Sequence, residues 1–282
     1  MEIEKLLPDY GPSINEVNKY IDKYKNDLIV VKCGGSCLLE KNLFDQLIED
    51  ISIINKLGLK VIVVHGGGKN IKKKLDEDKI ETKFINGLRV TDEKTIKIVE
   101  ESLIELNNEI ISRLKANNCK GVEFSPKQNN IIIVDPINDE LMYVGNPKEI
   151  SSDQMLKAVE TNKVPIIVPM GKDVKNNNYN INADTAAGAI AKEINARRLI
   201  LITDVEGVLD KDKKLISEIN SETANNMINN ESISGGMIPK INTCIDVVNN
   251  GVTGVAIVDG RKPHSILFEI FSDKGAGTLI RK

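Results

Sequence analysis

The chain has 282 residues, of which 41% are hydrophobic and 28% charged, and its formal net charge is −3. That is material for one large domain or two lobes, and a charge so near neutrality gives no electrostatic case for binding nucleic acid or an anionic membrane. No apolar run approaches the ~20 residues that span a bilayer, and the opening stretch MEIEKLLPDYGPS lacks the basic region and long apolar core of a signal peptide.

Cys33, Cys37, Cys119 and Cys244 are scattered, and both histidines, His65 and His264, lie far in sequence from the first two. Reduced thiols in a cytoplasmic protein are expected, and no metal site.

Along the chain, Ser13 and Glu16 have the spacing of a capping box. Ile14, Val17, Ile21 and Tyr24 then make one apolar helical face. A helix of ~14 residues is marginal alone, so this face must pack on the chain's own body or on a neighbouring subunit. Apolar, β-branched runs predict strands at Leu28–Lys32, Lys60–His65, Ile131–Val134, Val164–Pro169, Arg198–Thr203 and Val255–Val258. Between the first two, Phe44, Leu47, Ile51 and Ile54 repeat at helical spacing and Gly58 follows as a stop. Ile96, Val99, Leu103, Leu106, Ile110 and Leu114 do the same further on. Such alternation predicts an α/β fold: a three-layer α/β/α sandwich around an open, mostly parallel central sheet. The expected organisation is an N-terminal helix over 1–26, a first lobe over 27–196 and a second over 197–282.

Ligands of such sheets sit at the carboxyl ends of the strands, and there the chain places its glycines. IVVKCGGS runs a strand into Lys32 and then Gly34 and Gly35. VVHGGGKNI ends a strand at His65 and opens a helix with Gly66, Gly67 and Gly68. SGGMIPKI sets Gly235 and Gly236 before Lys240. Glycines let a backbone approach an anion, and a helix N-terminus offers unpaired N–H groups. Two lysines near glycines suit a reaction that builds negative charge on transferring oxygens. Each feature also has a plain reading: a strand ending on a solvated lysine, or a tight turn. Neither the P-loop nor the GxGxxG spacing is present. Asp184 stands in the first turn of a small-residue helix (Ala186, Ala187, Ala189, Ile190, Ile194), where capping alone would account for it. Asn180 and Asn182 alternate as in a strand, either as two amide ligands for a polar substrate or as solvated edge residues.

Together, VVKCGGS, VIVVHGGG, NGLRVTDEKT, YNINADTAAGAIA, LILITDVEGVLD, SGGMIPKI and FEIFSDKGAGTLI, in that order over residues 28–280, resemble the acetylglutamate kinases of the amino acid kinase family. The resemblance implies the carbamate kinase-like fold. It implies transfer of the ATP γ-phosphoryl group to the side-chain carboxylate of N-acetyl-L-glutamate, a step of arginine biosynthesis. By position, Lys32 and Lys240 would stabilise the transition state, with Asp184 holding both ammonium groups. Gly34, Gly35, Gly67 and Gly68 would offer N–H donors to the phosphoryl oxygens and the substrate. Arg89 and Asn180, with Asn182 nearby, would bind the α-carboxylate region. Asp204, Val205, Glu206, Gly207, Val208 and Leu209, with Ser232, Ile233 and Ser234, would line the nucleotide. Mg²⁺ would ride on the ATP phosphates.

The N-terminal helix and the segment PHSILFEIFSDKGAGTLI further resemble the arginine-inhibited branch. There N-terminal helices interlace and join three dimers into a hexamer, and arginine binds beside them. Tyr20, His264, Glu269 and Gly277 fall at matching places. Whether a nitrogen-signalling protein docks on such a ring is left open. Two departures stand out. EFSPKQNN replaces the family's Ser-Gly-Lys-Asp-like segment, and with VDPINDELMYVGNPKEI it is expected to form a hairpin flap near the acyl substrate. Lys69 stands where the family has Pro or a small residue and is expected to face solvent. The rival readings are an acetylaminoadipate kinase of lysine biosynthesis, which NGLRVT disfavours, and a catalytically silent arginine sensor, which the intact Lys32, Lys240 and Asp184 disfavour.

Overall fold

A computed structural model describes residues 3–282. In chain order its elements are α1 (Ile14–Tyr24), β1 (Leu28–Cys33), α2 (Lys41–Lys56), β2 (Lys60–His65), α3 (Gly68–Glu77), β3 (Phe84–Ile85), β4 (Leu88–Arg89) and α4 (Glu93–Ala116). There follow β5 (Gly121–Phe124), β6 (Ile132–Pro136), β7 (Gly145–Ile150), α5 (Asp153–Glu160), β8 (Val164–Ile167), β9 (Met170–Lys172), β10 (Asn178–Asn180) and α6 (Ala183–Glu193). The last are β11 (Arg198–Thr203), β12 (Glu218–Asn220), α7 (Ser221–Asn229), α8 (Met237–Asn249), β13 (Val255–Asp259), α9 (Ser265–Phe271) and β14 (Gly277–Arg281).

Eight strands form one sheet in the order β12-β14-β13-β11-β1-β2-β8-β5. All its neighbours are parallel except β13 and β14. Successive side chains of a strand face opposite ways, and here both ways lead to helices. Val30, Ile62, Leu199 and Ile257 join a core with Ile190, Ile241 and Val247 of α6 and α8. Ile29, Val61, Ile200 and Val258 join a second core with Ile51, Ile110 and Ile270 of α2, α4 and α9. That is why these strands are apolar throughout, and it gives the three layers.

α1 begins as the sequence predicts. The Ser13 hydroxyl accepts from the Glu16 N–H, and the Glu16 carboxylate accepts from the Ser13 N–H at 3.0 Å. Its apolar face lies on the chain's own body: Val17 and Tyr24 are buried beside Ile270 and Phe271. Burying a residue such as Val17 contributes ~1.5–3 kcal/mol, which a lone short helix lacks.

Three local expectations change. The run Ile131–Val134 becomes β6, which leaves the central sheet for a four-stranded sheet of order β10-β9-β6-β7. Within it, β6 and β7 form an antiparallel hairpin at the place expected for the flap. The strand begun at Val164 stops at Ile167, before Pro169. Asn182 is not on a strand with Asn180: β10 ends at Asn180, and Asn182 caps α6, its side chain accepting from the N–H groups of Asp184 and Thr185 at 2.9 and 3.1 Å. An Asx residue immediately before a helix serves as cap more readily than as strand.

Candidate active site

Chain order reverses direction at β1, which has β2 on one side and β11 on the other. A crevice opens at such a switch point, at the carboxyl ends of the strands. The three strands end there together, with Cys33 in register with His65 and Lys32 with Leu201. The resulting cavity has a volume of about 240 Å³ and is lined by Lys32, both glycine turns, Arg89, Asn180 and Asp184.

At its floor one carboxylate meets two ammonium groups. Lys32 Nζ lies 2.9 Å from Asp184 Oδ1. Lys240 Nζ, from α8, donates to Asp184 Oδ2. The three side chains are only 12–17% exposed. Burial raises the Asp184 carboxyl pKa, but Lys32 and then Lys240 outweigh it and hold it at about 2. For Lys32, burial works against the charge, yet the Asp184 carboxylate prevails and its pKa lies above the ordinary lysine value. Asp184 and Lys32 are therefore ionised at neutral pH, and one carboxylate between two basic side chains leaves a formal net charge of about +1. Capping does not account for Asp184, since Asn182 performs that task.

The glycine turns are close approaches. A Cβ on Gly34 would stand 2.8 Å from Lys32 Nζ, and one on Gly35 would stand 2.5 Å from Asp204 Oδ1. Gly35 also has φ +75, a region that costs other residues about 1 kcal/mol or more. Asp204, just beyond β11, accepts from the Ser36 N–H at 2.7 Å. Lys69 is about half exposed and reaches Asp204 Oδ2 at 3.7 Å, so it is not wholly given to solvent. Sequence reasoning placed Asp204 on the nucleotide but missed this link to the first glycine turn; a contact between positions so distant in the chain leaves no local signal.

Beside the second glycine turn, Arg89 is buried, its guanidinium donating to Thr82 Oγ1 at 3.2 Å and to the Gly68 carbonyl at 3.1 Å. It lies 4.8 Å from the Phe84 ring centroid. Phe84 is 55% exposed and stands at the mouth of the cavity on the β3–β4 hairpin. Sequence reasoning did not single it out. Asn180 Nδ2 lies 3.5 Å from Thr91 Oγ1, and Val144 of the flap segment also lines the cavity.

The segment 204–209 follows β11, and Ser232–Ser234 precede α8. Val208 and Ile233 are buried in the core, whereas Val205 and Leu209 are exposed. Any role of Val208 and Ile233 toward a nucleotide would run through the backbone. Gly207, at φ +138, brings the chain against Thr278, whose hydroxyl accepts from the Val208 N–H at 2.8 Å.

Residues 27–259 match the amino acid kinase family. The chain belongs to the amino acid kinase family. An acetylglutamate kinase from Pelagibacter ubique is 54% identical over 281 residues, covering 100% of this chain and 98% of the relative. In structure the chain resembles the N-acetylglutamate synthase from Neisseria gonorrhoeae, with a TM-score of 0.87 at 21% identity. That match covers 95% of this chain and 62% of the synthase. It also resembles the carbamate kinase from Giardia lamblia, with a TM-score of 0.68 at 17% identity, covering 91% and 98% of the two chains. The two structural likenesses show the fold alone.

This amino acid kinase has a larger cavity of about 600 Å³ between α1 and α9, lined by Tyr20, Arg198, Glu269, Asp273 and Gly277 among others. Tyr20 Oη donates to Asp273, as does Lys19 at 2.6 Å. Burial raises the Glu269 pKa, and its carboxylate accepts from the Ala276 N–H at 3.0 Å. His264 stands apart from Tyr20, Glu269 and Gly277. Its Nδ1 lies 2.7 Å from Asp50 of α2, beside a separate small cavity. Among the described residues, no helix is long and apolar enough to cross a membrane.

Proposed function

We propose that this chain transfers the γ-phosphoryl group of ATP to the side-chain carboxylate of N-acetyl-L-glutamate, yielding an acyl phosphate and ADP. The observation that carries this reading is the Lys32–Asp184–Lys240 trio at a glycine-walled cavity that Arg89 and Asn180 also line. The Pelagibacter relative, by its name an acetylglutamate kinase, supports the acceptor.

A carboxylate oxygen would attack the γ-phosphorus while the bond to the β–γ bridging oxygen breaks. The acceptor is already ionised at neutral pH, so no general base is required. The barrier is then repulsion between two anions and the need for in-line placement. Lys32, at the end of β1, would meet the transferring group, and Lys240 the nucleotide side. Asp184 would keep both cations aimed without neutralising the pair. Each lysine would be worth ~3 kcal/mol of transition-state stabilisation, the scale of one oxyanion donor. Gly34, Gly35, Gly67 and Gly68 would present N–H groups to phosphoryl oxygens. Arg89 would fork onto the α-carboxylate, with Asn180 beside it. For Asn182 we propose an indirect part, through the start of α6. Asp204–Leu209 and Ser232–Ser234 would border the nucleotide.

Mg²⁺ fits as an ion brought in on the nucleotide. Among the described residues no three His, Cys, Asp or Glu side chains gather as a metal site, and each Asp184 oxygen already faces an ammonium group, Oδ2 by a hydrogen bond and Oδ1 by charge. The ion would withdraw charge from the phosphates.

Residues 27–196 would form the lobe that binds the acyl amino acid, 197–282 the nucleotide lobe, and 1–26 a regulatory helix. We assign the cavity between α1 and α9 to inhibitory arginine. Glu269 and Asp273 there suit a guanidinium group, and Tyr20 and Gly277 lie on its wall. His264 would act on that site from a distance, through α9. A cytoplasmic homo-oligomer, a dimer or a hexamer joined through α1, is the assembly this implies, and a nitrogen-signalling protein is a candidate partner.

The test is a substrate panel of acylated and free amino acids with ATP and Mg²⁺, reading ADP release and trapping acyl phosphate as hydroxamate, with and without arginine. Turnover of N-acetyl-L-glutamate above all others is expected. Preference for N-acetyl-L-aminoadipate, or no turnover at all, overturns the reading.

A further inference from the structure

The reaction above leaves His65 without a task. It ends β2 and is wholly buried, so it does not line the cavity, although Gly66, Gly67 and Gly68 after it do. Its imidazole is held on both sides. Nδ1 lies 2.8 Å from the Gly66 carbonyl oxygen. Nε2 lies 3.2 Å from Asn107 Nδ2 on α4. The same amide nitrogen donates to the Ile166 carbonyl of β8 at 3.0 Å.

These contacts fix the proton. A carbonyl oxygen only accepts, so Ile166 decides which end of the Asn107 amide faces β8 and His65. Nε2 then faces an N–H donor and must accept. Nδ1 carries the hydrogen and donates it to Gly66. Burial pushes the imidazole pKa down to about 4, so the ring stays neutral at physiological pH.

The Gly66–Gly67 peptide is trans, so the Gly66 carbonyl and the Gly67 N–H point in opposite directions. A carbonyl pinned toward the interior aims that N–H at the cavity. Gly67 caps α3, so its N–H has no acceptor within the helix. A peptide between two glycines turns over at little steric cost, and a flipped one would present a carbonyl oxygen to an anion. We propose that His65 is a positioning residue: its Nδ1–H holds the Gly66 carbonyl and so presets the Gly67 N–H toward an anionic oxygen in the cavity, while Asn107 selects the tautomer. This rests on the phosphoryl-transfer reading of the cavity, and the test separates the two.

The chain has two histidines, so protein labelled with ¹⁵N-histidine gives two imidazole patterns, and the His264→Gln variant identifies that of His65. The expected pattern is a neutral, Nδ1-protonated ring with no titration between about pH 5.5 and 8. An Nε2-protonated or titrating ring overturns the proposal whatever the chain phosphorylates. In kinetics, His65→Leu keeps apolar bulk without the donor, and His65→Asn keeps an N–H near the Nδ1 position. We expect His65→Leu to lower kcat about 100-fold and His65→Asn to stay within about fivefold of the parent. Parent-like turnover in His65→Leu, or equal loss in two variants of equal Tm, overturns it. A parent that phosphorylates nothing sinks the kinase reading, while the imidazole pattern still decides the geometry.

Discussion

Lys32 and Asp184 meet at 2.9 Å across two layers of the fold, one at the end of the central strand and the other in the first turn of α6. The remaining carboxylate oxygen goes to Lys240 of α8. One anion thus holds two cations from different helices and strands at a single point. Moving either lysine away leaves the other in a one-to-one pair with Asp184, so the site loses its net positive charge.

Removing the cations should therefore cost rate more than fold. We expect Lys32→Ala and Lys240→Ala each to lower kcat about 100- to 1,000-fold, read as ADP release from N-acetyl-L-glutamate and ATP. Asp184→Asn should do as much and also destabilise the chain by ~3 kcal/mol, because it strands two buried ammonium groups. Parent-like turnover in Lys32→Ala would defeat the catalytic assignment.

Gly35 is the point where the first glycine turn meets Asp204. A methyl group there must adopt φ +75 and enter the space of the carboxylate. Gly35→Ala is expected to lower Tm by ~2–6 °C, from about 1 kcal/mol of backbone strain plus the clash. Adding Asp204→Ala should recover the clash part alone. A Tm equal to the parent's would mean that the turn relaxes freely.

Much of the frame is legible in the sequence because it is local. Runs such as Leu28–Lys32 and Arg198–Thr203 are apolar on both faces, and that alone marks a covered parallel sheet. The glycines that end them mark the strand tips. The edges are less visible: β5, Gly-Val-Glu-Phe, carries too few apolar residues to signal a strand, and β12 spans three residues. What sequence reasoning missed in the site is long-range. Asp204 under Ser36 and Asn107 behind His65 depend on how elements dock, and no spacing rule encodes that; Phe84 beside Arg89 is the exception, a cross-strand pair that Asn86-Gly87 signals as a hairpin.

The cavity between α1 and α9 gives a separate test. Glu269 is buried with its carboxylate at the cavity wall. If a guanidinium docks there, a charge-assisted hydrogen bond is at stake, worth about 1.5–3 kcal/mol. Glu269→Gln should then raise the arginine concentration for half-inhibition by about tenfold or more. Deleting residues 1–25 should abolish the response and leave a dimer by light scattering. A parent enzyme insensitive to millimolar arginine would remove the regulatory assignment and leave the catalytic one standing.

The Asp50–His264 pair predicts a pH dependence of stability with a definite sign. Burial raises the Asp50 pKa from 3.8 to about 6, with His264 only partly opposing it. Hydrogen bonding to Asp50 raises His264 above 6.5 against its own burial, and Glu49 on α2 pushes both the same way. Both groups bind protons more tightly folded than unfolded. Their contribution is thus fully present at low pH and is lost as pH rises. For Asp50 the loss runs from about 4 through about 6, and for His264 it begins near 6.5 and continues upward. Asp184 acts in the opposite sense: its contribution is present above 3.8 and lost only as pH falls toward about 2, outside this window. The difference in unfolding free energy between the parent and an Asp50→Asn, His264→Gln double variant, read from denaturant titrations, should therefore shrink from pH 5 to pH 8, by at most ~1.4 kcal/mol per pH unit per group. A difference that is flat or grows over that range would show that the two side chains do not share a proton in the folded chain.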